Sequence, residues 1–436
     1  MQDPQRQQSL ARETAVLAKI LFSSDQTEQD PLVECERLAL TAGTKVATGI
    51  TQRRETMNVA TAFGKGKVGE LALLVKDHDA DVVIFDNDLS PAQTRNLERA
   101  VNAKVIDRTE LILDIFASNA SSLESRLAVE LAQLEYSLPR LKRMWTHLDR
   151  VKMGVGMRGP GEKQLEVDRR LVEKRIRDLR KELHVIERRK QRLVRSRSDV
   201  MTVSLVGYTN AGKSTLMNAL TAAEVVAEDK LFATLDTRTR RWQLPNWGPV
   251  LLSDTVGFIK DLPHRLIASF KATLEEARHA DLLLHIADGS NPAVFEQIQA
   301  VYQVLEEIEI QETDTLLIIN KVDQMPSRAT LDVILNRYPQ AIAISAKSKE
   351  GFDGLAMSVS DALSRSFLEL TVETDISNGK LMAFIAARGE VLSTRYSETT
   401  VSIHCKLPEK YAGQIHCDEA VITACNGTDT MVEGAS

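Results

Sequence analysis

Cysteine is scarce, with four in 436 residues, too few to staple a chain of this length, so a disulfide framework is excluded. Long apolar runs are missing as well. The longest, such as Leu282 to Leu284 and Leu316 to Ile319, fall far short of the ~20 residues a helix needs to cross a bilayer. Met1 to Thr14 is polar and has no apolar h-region, so a secretory signal is excluded and a cytoplasmic location is expected. No repeat with a period of 20 to 50 residues is apparent, which argues against a solenoid. What remains is a globular composition, 43% apolar and 27% charged, and at roughly 150 residues per domain the length predicts about three domains.

The net charge of −6 conceals a strong asymmetry. Arg140 to Asp199 holds 20 Lys and Arg against 9 Asp and Glu, a local charge of +11, and leaves 35 against 52, or −17, for the rest. A basic segment of that strength inside an acidic protein suits a phosphate backbone.

The pattern along the chain predicts an α/β protein in four parts. Residues 1–120 alternate strand-like runs (Lys45 to Ile50, Val82 to Phe85, Lys104 to Ile106) with helical patterns, a small α/β domain. Residues 121–199 carry two apolar stripes at helical spacing. Leu123, Leu127, Leu131, Leu134, Leu138, Leu141 and Leu148 form the first, with Pro139 expected to kink it; Leu165, Val172, Ile176, Leu179, Leu183, Ile186 and Leu193 form the second. Between them Gly154-Val155-Gly156-Met157-Arg158-Gly159-Pro160-Gly161 is expected to be a loop. The two read as a long antiparallel hairpin whose tip stands ~50 Å from its base, at ~1.5 Å per residue. A coiled-coil dimerisation arm has the same periodicity, but its seam has no need of an Arg- and Gly-bearing tip. Residues 200–366 alternate strands (Thr202 to Val206, Val250 to Ser253, Leu282 to Ala287, Thr315 to Ile319, Ala341 to Ile344) with helices, a doubly wound domain. Residues 367–436 read as a smaller α/β piece, with a helix near Leu381 to Arg388 and strands at Glu390 to Thr394 and Thr400 to Cys405.

Chemistry concentrates in the third part. Gly207-Tyr208-Thr209-Asn210-Ala211-Gly212-Lys213-Ser214 fits the G-x-x-x-x-G-K-[ST] phosphate loop, after a strand and before a helix. Backbone N–H groups there close around phosphates, Lys213 is expected on the β- and γ-phosphates, and the Ser214 hydroxyl, next to Thr215, on Mg²⁺. Asp254-Thr255-Val256-Gly257 ends an apolar strand, so Asp254 reaches the magnesium sphere and the Gly257 N–H can face a γ-phosphate. Asn320-Lys321-Val322-Asp323 ends another. An ionised Asp323 only accepts, so it matches the N1–H and amine of guanine and opposes the N1 lone pair of adenine. Lys321 is expected to cover the base, Asn320 to tie loops together, and Ser345-Ala346-Lys347 to offer an N–H to the guanine O6. The order 207, 254, 320, 345 predicts a GTP site.

Such a site needs a threonine that senses the γ-phosphate. Thr234, in Leu231-Phe232-Ala233-Thr234-Leu235-Asp236, is the expected residue, with Thr237 and Thr239 as fallbacks. Mg²⁺ and γ-phosphate order such a loop and hydrolysis releases it. Phe258 follows Gly257 where signalling GTPases place a water-orienting glutamine. Phenylalanine cannot polarise water, so slow hydrolysis, accelerated by a partner, is expected.

With these residues in place the chain resembles the HflX GTPases, of the Obg and HflX group of translation-factor-related G proteins. The resemblance rests on Trp145-Thr146-His147-Leu148, Arg158-Gly159-Pro160-Gly161-Glu162, Gln164-Leu165-Glu166, Asp168-Arg169-Arg170, Phe232-Ala233-Thr234-Leu235-Asp236 and Asp254-Thr255-Val256-Gly257-Phe258. Asp107-Arg108-Thr109 and Gly64-Lys65-Gly66-Lys67 add to it, and it covers about residues 35 to 365. It implies a cytoplasmic GTPase, here expected to be a monomer, that binds the large (50S) ribosomal subunit and the 70S ribosome and separates stalled ribosomes under stress. It also implies a hairpin reaching toward the peptidyl-transferase centre, so that Gly154, Gly156, Arg158, Gly159 and Gly161 would touch rRNA. Thr237-Arg238, where a proline is usual, and Met153, in place of a tip glycine, depart from the pattern.

Two weaker motifs have structural readings. Gly64-Lys65-Gly66-Lys67-Val68-Gly69 spells G-x-G-x-x-G, with Asp86 placed like a ribose-binding carboxylate, but Thr56 to Phe63 is a poor buried strand, so a structural or RNA-contacting turn is favoured over a second nucleotide. His404-Cys405, His416-Cys417 and Cys425 suggest zinc, yet adjacent strand residues face opposite ways, which favours ordinary core and surface positions. A ribosome-assembly or RNA-binding factor with GTP as a rarely hydrolysed ligand, and a signalling GTPase with a protein effector, are the rival functions.

Overall fold

The computed structural model describes residues 10, 12–22, 30–144, 160–196, 200–221, 231–232, 234–245, 248–260, 276–307, 315–364, 367–413, 415 and 420–424. Two compact units are distinct, Met1–Arg197 with Thr202–Trp242 and Leu251–Glu350, and Ser198–Met201 with Gln243–Val250 and Gly351–Ser436.

The first unit opens on a four-stranded parallel sheet of order β2-β1-β3-β4, from β1 (Thr14–Leu21), β2 (Lys45–Arg53), β3 (Val82–Phe85) and β4 (Lys104–Asp107). Helices α1 (Val33–Thr41), α2 (Lys65–Asp77), α3 (Pro91–Val101) and α4 (Arg108–Asn119) connect and follow the strands. The expected strands are present, and β1 is an addition. Its apolar run sits in the middle of the sheet, where burial on both faces leaves no alternation to read. Ser90 and Gln93 form a reciprocal capping box that starts α3, and Asp107 caps α4 by accepting from the Glu110 N–H at 2.9 Å.

Next come α5 (Leu123–Met144) and α6 (Pro160–Ser196), which pair as the expected hairpin. Leu127, Leu131, Ile176 and Leu179 form its seam. Ion pairs Glu124–Lys190 and Glu135–Arg180 advance along α5 while receding along α6, the signature of antiparallel packing. Pro139 lies inside α5. The loop expected through Gly161 is shorter at its far end, because α6 begins at Pro160. Proline fits the first helical position, where its missing N–H has no partner to lose, and carries Gly161 into the first turn. Gly154, Gly156, Arg158 and Gly159 lie outside the described residues. The Tyr136 hydroxyl donates to the cap residue Asp107 at 2.7 Å and Arg140 pairs with it at 2.8 Å, so α5 is fastened to the start of α4.

The second sheet has six strands in the order β10-β9-β8-β5-β7-β6, built from β5 (Thr202–Gly207), β6 (Arg238–Leu244), β7 (Gly248–Asp254), β8 (Leu282–Asp288), β9 (Thr315–Asn320) and β10 (Ile342–Ala343). Pairing is parallel from β10 through β7. Helices α7 (Lys213–Thr221), α8 (Val294–Glu307) and α9 (Arg328–Arg337) accompany it. One apolar core continues from the first sheet's helices into this fold: Leu38 and Phe116 belong to the same cluster as Tyr208, Phe232, Leu235 and Phe258.

The second unit contains α10 (Phe352–Ser364) and a four-stranded antiparallel sheet, order β12-β13-β11-β14, from β11 (Phe367–Asp375), β12 (Glu390–Tyr396), β13 (Thr400–Pro408) and β14 (Ala420–Ala424). Helices α11 (Gly379–Arg388) and α12 (Glu409–Ala412) complete it. His404 bonds Glu369 at 2.9 Å, whereas Cys405 is buried in the core, so the dipeptide divides between faces. No helix among the described residues is long and apolar enough to cross a membrane.

Candidate nucleotide site

The strand ends of the six-stranded sheet assemble the predicted residues. Gly207 to Gly212 turn between β5 and α7, and the turn depends on Gly212. Its φ of +93° is one that side chains avoid, and a Cβ there would stand 2.3 Å from Asn320 Nδ2. Asn210 also takes a positive φ, and Thr215 is half-buried in the first turn of α7. The Lys213 ammonium is buried and donates to the Gly207 and Tyr208 carbonyls at 3.0 and 2.9 Å. Burial pushes its pKa down to about 8, against the pull of the Asp254 carboxylate.

Beside it three oxygen-bearing side chains meet. Ser214 Oγ donates to Asp254 Oδ2 at 2.6 Å and lies 2.8 Å from Thr234 Oγ1. Asp254 is fully buried, and its other oxygen, Oδ1, has no hydrogen-bond partner. Burial raises the Asp254 pKa, while Lys213 and the two hydroxyls oppose the rise. A hard divalent cation seeks this donor set: oxygen only, two neutral hydroxyls and a carboxylate with a lone pair to spare. Ser214, Thr234 and Asp254 therefore fit Mg²⁺. Thr234, chosen over Thr237 and Thr239, is the threonine placed here; the Thr237 hydroxyl instead bonds Glu276 at 3.2 Å.

The segment after Asp254 is zipped to the phosphate loop. The Phe258 N–H donates to the Gly207 carbonyl at 3.0 Å and the Thr209 N–H to the Phe258 carbonyl at 2.7 Å. Thr255 Oγ1 bonds the Leu205 carbonyl at 2.7 Å, and Val256 is buried. Gly257 comes so close that a Cβ would stand 2.8 Å from Thr209 Cα and 3.1 Å from Lys213 Nζ. Phe258 is only 2% exposed and belongs to the shared apolar core.

At the other end Asn320 ties two loops: Nδ2 donates to the Ala211 carbonyl at 2.8 Å, and Oδ1 accepts from the Ala346 N–H at 2.9 Å. Lys321, at φ +63°, pairs with Asp288 at 2.7 Å. Val322 donates to the Ile344 carbonyl at 3.3 Å, and Asp323 is exposed on the same turn. Ser345 Oγ accepts from the Ser348 N–H at 3.0 Å, holding the turn that carries exposed Lys347.

Several residues grouped with the nucleotide ligands spend their side chains elsewhere. Phe232 packs edge-on against Phe116 of α4 at 4.7 Å, and Leu235 is buried in the same core. Asp236 accepts hydrogen bonds from Ser121 and Ser122 at the foot of α5. The Tyr208 hydroxyl donates to Glu34 and accepts from the Lys260 N–H, both at 2.7 Å, while Arg108 pairs with Glu34 and Asp86 and donates to the Lys260 carbonyl at 2.9 Å. Asp86 is thereby engaged in the N-terminal domain's own ion pairs, with Lys19 also on it at 3.0 Å. Ala233 lies outside the described residues. Sequence reasoning missed Asn119, Ser121, Ser122 and Glu34; the one signal was the serine pair ahead of a helical stripe, which marks a helix start.

Three family models match the chain in succession: a GTP-binding GTPase N-terminal region over residues 29–117, a GTP-binding GTPase middle region over 119–197, and a 50S ribosome-binding GTPase over 202–321. A GTPase HflX of Magnetococcus marinus is 46% identical over 388 residues, covering 88% of this chain and 89% of that one. A GTPase HflX of Escherichia coli (strain K12) is 44% identical over 402 residues, covering 91% and 94%. Among solved structures, a GTP-binding protein of Sulfolobus solfataricus in complex with GDP covers 81% of this chain and 99% of its own at 23% identity, with a TM-score of 0.43.

Proposed function

Because the chain belongs to the HflX family of GTPases, we propose that it is a cytoplasmic, monomeric, Mg²⁺-dependent enzyme that hydrolyses GTP to GDP and phosphate. Its partners in this reading are the 50S subunit, the 70S ribosome and rRNA, and its task is to split or rescue stalled ribosomes under stress. One observation carries the reading: the Ser214 and Thr234 hydroxyls converge on buried Asp254 beside Lys213. That arrangement is the oxygen donor set that the cation of a bound triphosphate would use.

The roles follow from donor chemistry. N–H groups from Asn210 to Thr215, with the start of α7, receive the phosphates. Lys213 exchanges its two carbonyl partners for phosphate oxygens, and a doubly charged neighbour restores the proton affinity that burial takes away. The Gly257 N–H meets the γ-phosphate. Asp323 reads guanine, Lys321 covers the base, and the Ser345-Ala346-Lys347 turn presents its N–H groups to O6. Ser214 and Thr234, with Asp254, would hold Mg²⁺, which would supply neutralisation of the phosphate charge. Hydrolysis alone is slow, since Phe258 offers nothing to a water, and ribosomes accelerate it.

Residues 1–120, 121–199, 200–366 and 367–436 are its working parts, with the hairpin as the arm that meets rRNA through Gly154, Gly156, Arg158, Gly159 and Gly161. Co-sedimentation with 50S particles across a salt series tests this. Binding with a non-hydrolysable GTP analogue should exceed binding with GDP and fall steeply with salt, and Arg158→Glu should weaken it. Association indifferent to salt, nucleotide and that charge would refute the reading.

A further inference from the structure

Helix α5 begins with donors that its own backbone leaves unmatched, because the first N–H groups of a helix have no carbonyl behind them. Ser122 caps it, its Oγ accepting from the Ser125 N–H at 3.0 Å. The Ser121 and Ser122 N–H groups point instead to Asp236 Oδ2, at 3.3 and 3.1 Å. The Ser122 hydroxyl donates to Oδ1 at 2.5 Å, and the Ser121 hydroxyl donates to Oδ2. One carboxylate thus gathers four donors at the positive end of a helix dipole.

The owner of that carboxylate is what matters. Asp236 lies two residues beyond Thr234, at most ~7 Å of chain, and Leu235 between them is 2% exposed. At the other end of the loop the Asn119 amide donates to the Phe232 carbonyl at 2.8 Å, and the Phe232 N–H donates to Thr209 Oγ1 at 2.7 Å. Phe232 and Asp236, on either side of Thr234, are therefore both held by the junction between α4 and α5. A tether that short limits how far Thr234 can withdraw from Ser214 while Asp236 stays on Ser121 and Ser122.

We propose that Asp236 is a positioning residue that links the nucleotide site to the hairpin: with Thr234 engaged, Asp236 caps α5, and with Thr234 released, the foot of α5 loses its acceptor and loosens. The link rests on the proposed GTP site. It gives the nucleotide a direct hold on the helix that forms half of the arm, without any movement of the six-stranded sheet.

Amide hydrogen exchange on the full chain, with GDP or a non-hydrolysable GTP analogue, tests it. The analogue should slow exchange over Ser121 to Arg126 by about threefold or more relative to GDP, the size expected for a charge at a helix start. Asp236→Asn, which keeps the shape but not the charge, should abolish that difference. The pair S121A/S122A, which keeps the two backbone donors but loses both hydroxyl donors and the Ser122 cap, should shrink the difference and speed exchange at the start of α5 in both states, while leaving GDP affinity unchanged. Equal exchange at α5 with both nucleotides, in a protein that binds both, overturns the proposal and spares the site. Failure to bind fluorescent GDP at all overturns the site reading and the proposal with it.

Discussion

Phe258 occupies the place where a catalytic glutamine is expected, and the obvious repair is Phe258→Gln. The geometry predicts that the repair fails. Residue 258 is fastened at both backbone groups, by the Gly207 carbonyl and the Thr209 N–H, and its side chain lies in the core that holds Phe116, Phe232 and Leu235. A glutamine there would face hydrocarbon, not phosphate. Losing a buried phenylalanine costs about 1.5–3 kcal/mol, and an amide without partners about 1–3 kcal/mol more. The sum, roughly 2.5–6 kcal/mol, should lower an apparent Tm by about 4–9 °C in a unit of this size. Phe258→Leu, nearly conserving volume, should cost under ~1.5 kcal/mol and serves as the packing control. Single-turnover GTP hydrolysis at 20 °C, alongside thermal unfolding, reads both effects. Phe258→Gln should leave the rate within about twofold, whereas an amide that oriented the attacking water would raise it about tenfold or more. A tenfold acceleration with Tm preserved would show that residue 258 faces the γ-phosphate, and the account of the shared core would fail.

Asp323→Asn removes the acceptor for two guanine N–H groups, each worth ~1.5–3 kcal/mol when charge-assisted, so GTP affinity should fall about 10²- to 10⁴-fold while XTP affinity rises; competition binding that finds GTP unaffected would refute the base assignment. His285, buried on β8 edge-on to Tyr302 at 4.9 Å, is pushed down to about 3 by burial and by the Lys213 charge, and its Nδ1 has no hydrogen-bond partner. Because the unfolded chain takes up this proton near pH 6.5 and the folded one does not, stability is lost progressively as pH falls from 6.5 toward 3. His285→Leu should therefore gain about 2 kcal/mol relative to the parent between pH 7.5 and pH 5; urea curves that shift in parallel at the two pH values would show that His285 is not the proton-sensitive group.

What the sequence made legible was whatever depends on backbone geometry. A phosphate loop needs glycine at 212 because φ is +93° there, and Asn320 must follow a strand because only there can it reach Ala211 and Ala346 together. Such constraints leave letters at fixed spacings. Strand β1 left none: wholly buried parallel strands lack the alternation by which strands are recognised. Pro160 misled for a related reason, since proline breaks helices and also starts them.

The deeper illegibility lies in partners distant along the chain. Phe232, Asp236 and Phe258 stand inside motifs that advertise nucleotide chemistry, and nothing local says that their side chains turn away from it. Phe116, Ser121 and Ser122 stand more than a hundred residues upstream, in a stretch that reads as ordinary helix and helix start. Their meeting gives these motif residues two obligations, a place in the chain beside the phosphate loop and Thr234, and a side chain committed to the helices α4 and α5. A residue so divided cannot satisfy a rearranged loop without giving up an apolar contact or a charge-assisted hydrogen bond. Coupling between the nucleotide and the arm, as proposed above, therefore needs no additional element; it uses side chains that stand within and beside the nucleotide motifs.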